Sequence, residues 1–140
     1  MLRLAFEGVR SLEISDIELY SGGKSYTVRT MRRLKKLYPD DRLYFVIGSD
    51  MLLTFREWYK YEEILTLCGL IAAARTSDDL PKITEAAKSL PGEVIVLPYE
   101  ALEVSSTEVR NLIKKIEDFA CYLPQSVVKY IKAKNIYKEM

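Results

Sequence analysis

The chain has 140 residues, of which 49% are hydrophobic and 29% charged, as is typical of a soluble globular domain spanning 1–140. Its 21 Lys and Arg nearly balance 20 Asp and Glu, which argues against a broad nucleic-acid-binding surface. No apolar window has the length of a membrane span and the start lacks a signal-peptide pattern, so we expect a cytoplasmic protein. Histidine is absent, which excludes imidazole as an acid–base catalyst or metal ligand within these residues.

Hydrophobic periodicity predicts helices alternating with strands along the chain. In chain order we predict a helix at 1–9, a strand at 12–19, a helix at 27–38, strand 42–50, helix 61–68, strand 69–75, helix 79–90, strand 93–100, and helices 105–116 and 124–135. The middle strands are continuous apolar runs, as expected where both faces of a sheet are covered. The alternation predicts an α/β fold with a parallel sheet and a helical C-terminus. Cys68 and Cys121 have apolar neighbours and no paired motif, so we expect both to be buried and reduced.

Three polar groups follow predicted strands, where open parallel sheets bind ligands. Gly48 and Asp50 lie in the turn with which the second strand segment ends, Arg75 ends the third, and "VSSTEVR" (104–110) follows the fourth by a few residues. The carboxyl ends of parallel strands lie at one edge of the sheet. The sequence therefore predicts a binding site at this edge.

The segment "VSSTEVR" has two interpretations. Ser105, Ser106 or Thr107 can cap the following helix, with Glu108 in its first turn, where the helix dipole favours a negative charge. The same helix end also attracts anions, and Arg110 adds a fork of donors for phosphate. The two roles are compatible, since one helix end serves both.

Trp58 is the only tryptophan, and a lone tryptophan is most often part of the core. Here it lies in a polar, charged segment and is flanked by Tyr59 and Tyr61. This setting favours a ring that stacks on a ligand.

The order and spacing of five segments resemble the bacterial nicotinate-nucleotide adenylyltransferases of the nucleotidyltransferase superfamily. These segments are "SYTVRT", "YFVIGSDML", "FREWYKYEEIL", "SSTEVR" and "YLPQSVVKYIKAKNIY". The resemblance implies a Rossmann-like parallel sheet. It also implies an enzyme of NAD biosynthesis that converts ATP and nicotinate mononucleotide to deamido-NAD and pyrophosphate.

For ATP, the resemblance implies that Gly48 and Asp50 contact the nucleotide and that Ser106, Thr107 and Arg110 bind the phosphates. Mg²⁺ is expected on the triphosphate. The 5′-phosphate of the mononucleotide attacks the α-phosphorus, so no protein nucleophile is needed and catalysis depends on positioning and charge stabilisation.

For nicotinate mononucleotide, the resemblance implies that Trp58 stacks on the pyridine ring, while Thr27 and the backbone at Tyr59 hold its carboxylate. Arg75 is expected near the phosphates or the substrate. Arg29 stands where the family often has an acidic or small residue.

The family's histidine-x-glycine-histidine motif has no match in this sequence, and no catalytic residue can be assigned. We expect the first two strands of the family's sheet to be absent, which would leave a gap between strands 12–19 and 42–50. Unpaired edges and exposed apolar faces follow from such a gap. We therefore expect the 140-residue chain alone to be inactive, and poorly stable unless it forms a homo-oligomer.

Three other interpretations compete with this one. Phosphopantetheine adenylyltransferase shares the fold and the serine/threonine-arginine segment, although the tryptophan segment and "SYT" argue against it. A non-catalytic nucleotide-binding module would keep the pyridine side of the pocket without the histidines. A purely structural origin of every motif, as caps and solvated faces, would require five ordered coincidences.

Overall fold

The computed structural model describes residues 1–19, 22–74, 76, 78–98, 104–115 and 117–137. The chain forms two compact units. The terminal unit comprises Met1–Ser15 and Glu103–Met140, and the central unit comprises Asp16–Leu102.

The elements run in chain order as α1 (Leu2–Ala5), α2 (Thr27–Leu37), β1 (Tyr44–Gly48), α3 (Ser49–Leu53), a 3₁₀ turn (Phe55–Glu57), α4 (Tyr61–Leu67), β2 (Gly69–Ala73), α5 (Asp79–Lys88), β3 (Val94–Leu97), α6 (Ser106–Lys115), a second 3₁₀ turn (Ala120–Tyr122) and α7 (Gln125–Lys134). Within the described ranges, no helix has the length and apolar character needed to cross a membrane.

The central unit is built on a parallel sheet in the order β1-β2-β3. This confirms the predicted α/β fold with a parallel sheet. Ile47 pairs with Ala72, which pairs with Val96, and this row faces the core. The largest fully buried side chains among the described residues of the unit come from five different elements: Val28, Phe55, Ile64, Leu70 and Ile83.

The other face of the sheet is more open. Val46 is 65% exposed, Ile95 38% and Leu97 43%, and Val46 and Ile95 both align with Ile71 in the register. We expected both faces of the sheet to be covered. The face that points to the core is buried, whereas the other face is partly exposed.

Helix α2 begins at Thr27 as predicted, and Val28 and Met31 are buried on its inner face. The helical spacing of Val28, Met31 and Leu37 predicts a shared inner face, but Leu37 is 63% exposed. It is the last residue of the helix, and the chain leaves the helical conformation at Tyr38.

The prediction of a strand at 12–19 is wrong. The segment is irregular at 12–16 and a turn at 17–19, and it is tied to α2 by side chains instead of by a strand ladder. Glu18 accepts a hydrogen bond from Thr30 Oγ1 at 2.5 Å, and Arg33 donates to the Ile17 carbonyl at 2.9 Å. Alternating polarity alone does not make a strand where no neighbouring strand supplies hydrogen-bond partners.

The terminal unit packs α1, α6 and α7 around a core of its own, formed by Ile113, Phe119, Val127, Val128 and Ile131. The Ser126 hydroxyl donates to the Leu4 carbonyl at 2.8 Å and links α7 to α1. Pro124 was predicted as the first helical residue, and it is instead the residue that precedes α7. Cys121 is exposed, contrary to prediction, because it lies in a short 3₁₀ turn, whereas Cys68 is buried as predicted.

Candidate functional site

The start of α2 lies beside the segment that follows the first 3₁₀ turn. Tyr26 immediately precedes Thr27, and its ring centroid lies 4.6 Å from that of Tyr59, at an interplanar angle of 43°. The structure therefore brings the sequence-predicted residues Thr27 and Tyr59 into one neighbourhood through Tyr26. The first N–H groups of α2 have no side-chain cap. The Arg29 N–H donates to the Tyr26 carbonyl at 2.9 Å, which leaves the N–H of Thr27 without a capping side chain at this end.

Trp58 packs with one side on the core. Its ring centroid lies 5.2 Å from that of Phe55 and 6.1 Å from that of Phe45, the second contact being edge-on. Trp58 is half-buried, so part of the ring also remains accessible. Trp58 therefore belongs partly to the core, through Phe55 and Phe45, and partly to the surface, where a ligand can reach it.

The backbone turns sharply after Trp58. The Tyr61 N–H donates to the Trp58 carbonyl at 3.1 Å, and Lys60 adopts a left-handed conformation with φ of 56° just before α4. A non-glycine residue in this region costs about 1 kcal/mol, and such residues are concentrated at functional sites. The turn leaves the Tyr59 ring 52% exposed.

The carboxyl end of β1 runs directly into α3. Ser49 is buried, and its hydroxyl donates to Asp79 Oδ2 at 2.8 Å, which connects the end of β1 to the first residue of α5. Asp50 is exposed in the first turn of α3. Gly48 and Asp50 thus lie at the carboxyl end of a parallel strand, as predicted.

Helix α6 begins with a capping box. The Ser105 N–H donates to Glu108 Oε2 at 2.6 Å, and the Glu108 N–H donates to Ser105 Oγ at 3.1 Å. These bonds hold the pKa of the Glu108 carboxyl below its ordinary value, chiefly through the backbone N–H of Ser105. Ser105 is therefore the cap, and the hydroxyls of Ser106 and Thr107 are not used for it.

The residues after the cap form a cluster of donors. Arg110 donates from Nη2 to Thr107 Oγ1 at 3.3 Å, and the side chains of Ser106, Thr107 and Arg110 are all exposed. Ser105, Ser106 and Arg110 also line a largely apolar cavity of about 490 Å³ in the terminal unit. An exposed guanidinium and hydroxyls at a helix N-terminus can bind an oxyanion.

The candidates from sequence are divided between the units. Thr27, Gly48, Asp50, Trp58 and Tyr59 belong to the central unit, and Ser106, Thr107 and Arg110 to the terminal unit. Arg75 lies outside the described residues. Among the residues that the structure describes, no group of three or more His, Cys, Asp or Glu side chains could hold a metal ion.

Sequence reasoning missed the Ser49–Asp79 hydrogen bond and the Tyr26–Tyr59 ring pair. The signals for both were weak. A serine directly after a buried strand and a tyrosine directly before a predicted helix are common, and their partners lie 30 or more residues away.

The parallel β1-β2-β3 sheet, with helices between its strands, defines an α/β fold. Residues 1–112 match the Cytidylyltransferase-like family. The chain belongs to that family.

Curated relatives cover nearly the whole chain. It is 33% identical over 143 aligned positions to the "Probable nicotinate-nucleotide adenylyltransferase" of Clostridium botulinum strain Hall, covering 99% of this chain and 71% of the relative. The protein of the same name in strain Eklund 17B is 34% identical, with 99% and 70% covered. A solved structure, "Plasmodium falciparum nicotinic acid mononucleotide adenylyltransferase complexed with APC", superposes with a TM-score of 0.73 at 20% identity, over 97% of this chain and 71% of that one.

Proposed function

We propose that the chain is a nicotinate-nucleotide adenylyltransferase, which joins ATP and nicotinate mononucleotide to give deamido-NAD and pyrophosphate. The observation that carries this proposal is the 33% identity to proteins of that name across 99% of the chain. The proximity of Thr27, Trp58 and Tyr59 supports it, because a pyridine ring with a carboxylate needs an aromatic surface beside uncapped backbone donors.

On the pyridine side, we assign the open face of Trp58 to stacking on the nicotinate ring. The Thr27 side chain and the backbone N–H of Tyr59 hold the carboxylate. Packing against Phe55 and Phe45 fixes the plane of Trp58, so that little side-chain entropy is lost when the ring binds.

On the ATP side, we assign Gly48 and Asp50 to the nucleotide, and Ser106, Thr107 and Arg110 to its phosphates. The capping box keeps α6 ordered and leaves these hydroxyls and the guanidinium for the triphosphate. Donors of this kind complement phosphate oxygens. Because Mg²⁺ prefers oxygen ligands, we propose that it enters bound to the phosphate oxygens of ATP.

The reaction needs no nucleophile from the protein. An oxygen of the mononucleotide 5′-phosphate attacks the α-phosphorus in line, the bond from that phosphorus to the α–β bridging oxygen breaks, and pyrophosphate leaves with the electron pair. The N-terminus of α6 and Arg110 stabilise the charge that develops on the phosphates.

A second candidate is a binding module that holds the mononucleotide without turnover, and the absence of histidine from the 140 residues favours it. We propose that these residues alone bind the substrate but transfer adenylate far below ordinary enzymatic rates of about 1–10³ s⁻¹. We further propose a cytoplasmic protein that forms homo-oligomers and binds no nucleic acid.

Two measurements on the 140-residue chain test these proposals. Quenching of the Trp58 fluorescence by nicotinate mononucleotide, but not by 4′-phosphopantetheine, supports the substrate, and the reverse pattern would identify the other adenylyltransferase. Pyrophosphate release from ATP with the mononucleotide then separates the two candidates. Ordinary turnover contradicts the inactivity of the isolated chain, whereas saturable quenching without pyrophosphate release supports the binding module.

A further inference from the structure

Two cationic side chains flank the tyrosine pair of the central unit, in which Tyr26 is partly buried and Tyr59 exposed. The Arg29 guanidinium carbon lies 5.3 Å from the Tyr26 ring centroid, and Lys60 Nζ lies 5.8 Å from the Tyr59 ring centroid. Because the two rings are 4.6 Å apart, the four side chains form a continuous row, Arg29–Tyr26–Tyr59–Lys60. We call this row the basic-aromatic row.

The two cations differ in whether a carboxylate pairs with them. Lys60 lies 3.6 Å from Glu63, which is also bound by Arg32 through two hydrogen bonds of 2.5 and 2.6 Å. In the described part of the chain, Arg29 forms no ion pair with a carboxylate, and its guanidinium donates only to the Lys24 carbonyl at 3.5 Å. Arg29 is therefore the positive charge of the row that remains without a counterion.

The geometry leaves the donors of Arg29 available. A guanidinium that stacks on a ring keeps its N–H groups at its edge, where they can reach an acceptor. The Tyr26 ring that holds Arg29 precedes Thr27, and it contacts the ring of Tyr59. An anionic group that enters between Thr27 and Tyr59 thus meets an uncompensated positive charge one ring away.

We propose that Arg29 is a specificity residue that favours pyridine nucleotides carrying a carboxylate over those carrying a carboxamide. This inference rests on the proposed function, because it places the pyridine substituent between Thr27 and Tyr59. The two ligands have nearly the same shape and differ by one negative charge. A fixed cation beside the substituent therefore separates them by electrostatics, whereas ring stacking does not.

Fluorescence titrations of Trp58 with nicotinate mononucleotide and with nicotinamide mononucleotide test the proposal. Arg29→Gln is expected to weaken binding of the acid about three- to tenfold, and to change binding of the amide less than about twofold. Arg29→Lys keeps the charge and should retain most of the preference. Lys36→Gln removes the same charge from the exposed last turn of α2 and should leave both affinities unchanged.

Ionic strength provides a second readout that misfolding would not imitate. The preference for the acid should shrink between about 0.01 and 0.15 M salt in the unsubstituted chain, and change little in Arg29→Gln. An unchanged acid-to-amide ratio in Arg29→Gln overturns the proposal while leaving the proposed function intact. If neither mononucleotide quenches Trp58 in the unsubstituted chain, the proposed function fails and this inference fails with it.

Discussion

Ser105 and Glu108 exchange two hydrogen bonds across the first turn of α6, so that Ser105 is the cap and Ser106 is not. Ser105→Ala removes the acceptor of the Glu108 N–H and should destabilise the helix by about 1 kcal/mol. Amide hydrogen exchange within α6 measures this loss directly. Ser106→Ala, at the neighbouring exposed position, serves as the control and should change stability by less than about 0.5 kcal/mol. Equal losses of protection in the two variants would mean that Ser105 is not the cap.

The carboxylate of the same box gives a pH dependence with a definite sign. The folded pKa of Glu108 is lowered by the Ser105 N–H, so its contribution to stability is present above the unfolded pKa. That contribution is lost as the pH falls through the lowered folded pKa. We expect protection of α6 amides to decline on acidification below the ordinary carboxyl range, and Glu108→Gln to show a flatter profile. The pKa of Glu63, in the central unit, is also lowered. Global unfolding would therefore report the titration of both carboxyls together, whereas the exchange of α6 amides reports that of Glu108. Identical pH profiles for Glu108→Gln and the unsubstituted chain would show that Glu108 is not the source of the pH dependence.

Phe55 and Trp58 are in ring contact, yet they should differ in what they stabilise. Phe55 is fully buried, so Phe55→Ala should cost about 3–5 kcal/mol of unfolding free energy. Trp58 is half-buried, and Trp58→Ala should cost roughly half as much while abolishing mononucleotide binding. Urea unfolding followed by circular dichroism gives the first quantity, and calorimetry gives the second. Leu53→Ala, at a half-exposed site nearby, is the control for a small loss of stability.

A Trp58→Ala variant that still binds the mononucleotide would reduce Trp58 to a packing residue. If Trp58→Ala lowered the unfolding free energy as much as Phe55→Ala does, the indole would also be a core packing residue. Only the combination of a moderate stability loss with lost binding supports the stacking role.

The sequence predicts those parts of the fold that local pattern determines. Helix α2 begins at its predicted residue Thr27, because its apolar residues recur with the helical period. Strands β1 and β2 lie within the continuous apolar runs assigned to them, as burial in a parallel sheet requires. The segment 12–19 shows the limit of this reasoning. Its alternation is that of a strand, but Glu18 and Ile17 bond to α2, and a local pattern contains no information about such distant partners.

The candidate site is predictable to a similar extent. The hydroxyl cluster of α6 was recognisable as a helix start, whereas the assignment of Ser105 as the cap required the position of the Glu108 carboxylate. The basic-aromatic row could not be foreseen, because Tyr26 and Tyr59 are far apart in the sequence and meet only through the packing of α2 within the central unit.

The two cysteines should react at very different rates. Burial raises the pKa of the Cys68 thiol, so that less thiolate is present at a given pH, and it also hinders access of a reagent. Cys121 is exposed and should react rapidly with a disulfide reagent at about pH 8. We expect one fast equivalent in the native chain and a second only in denaturant. Cys121→Ser should eliminate the fast equivalent, and a fast reaction that persists in this variant would show that Cys68 is accessible.

Val46 lies in β1, at one edge of the sheet, and its side chain is 65% exposed on the same face as Ile95. An edge strand with exposed apolar side chains promotes pairing with another chain. We therefore expect the protein to self-associate as its concentration rises, which sedimentation velocity detects.

Val46→Lys should shift the equilibrium toward the monomer, because a charge on the edge strand opposes pairing. Leu19→Lys introduces the same charge at an even more exposed leucine outside the sheet and should have no effect. Equal association of the two variants would exclude this face as the contact, and a monomer at every concentration would exclude the association itself.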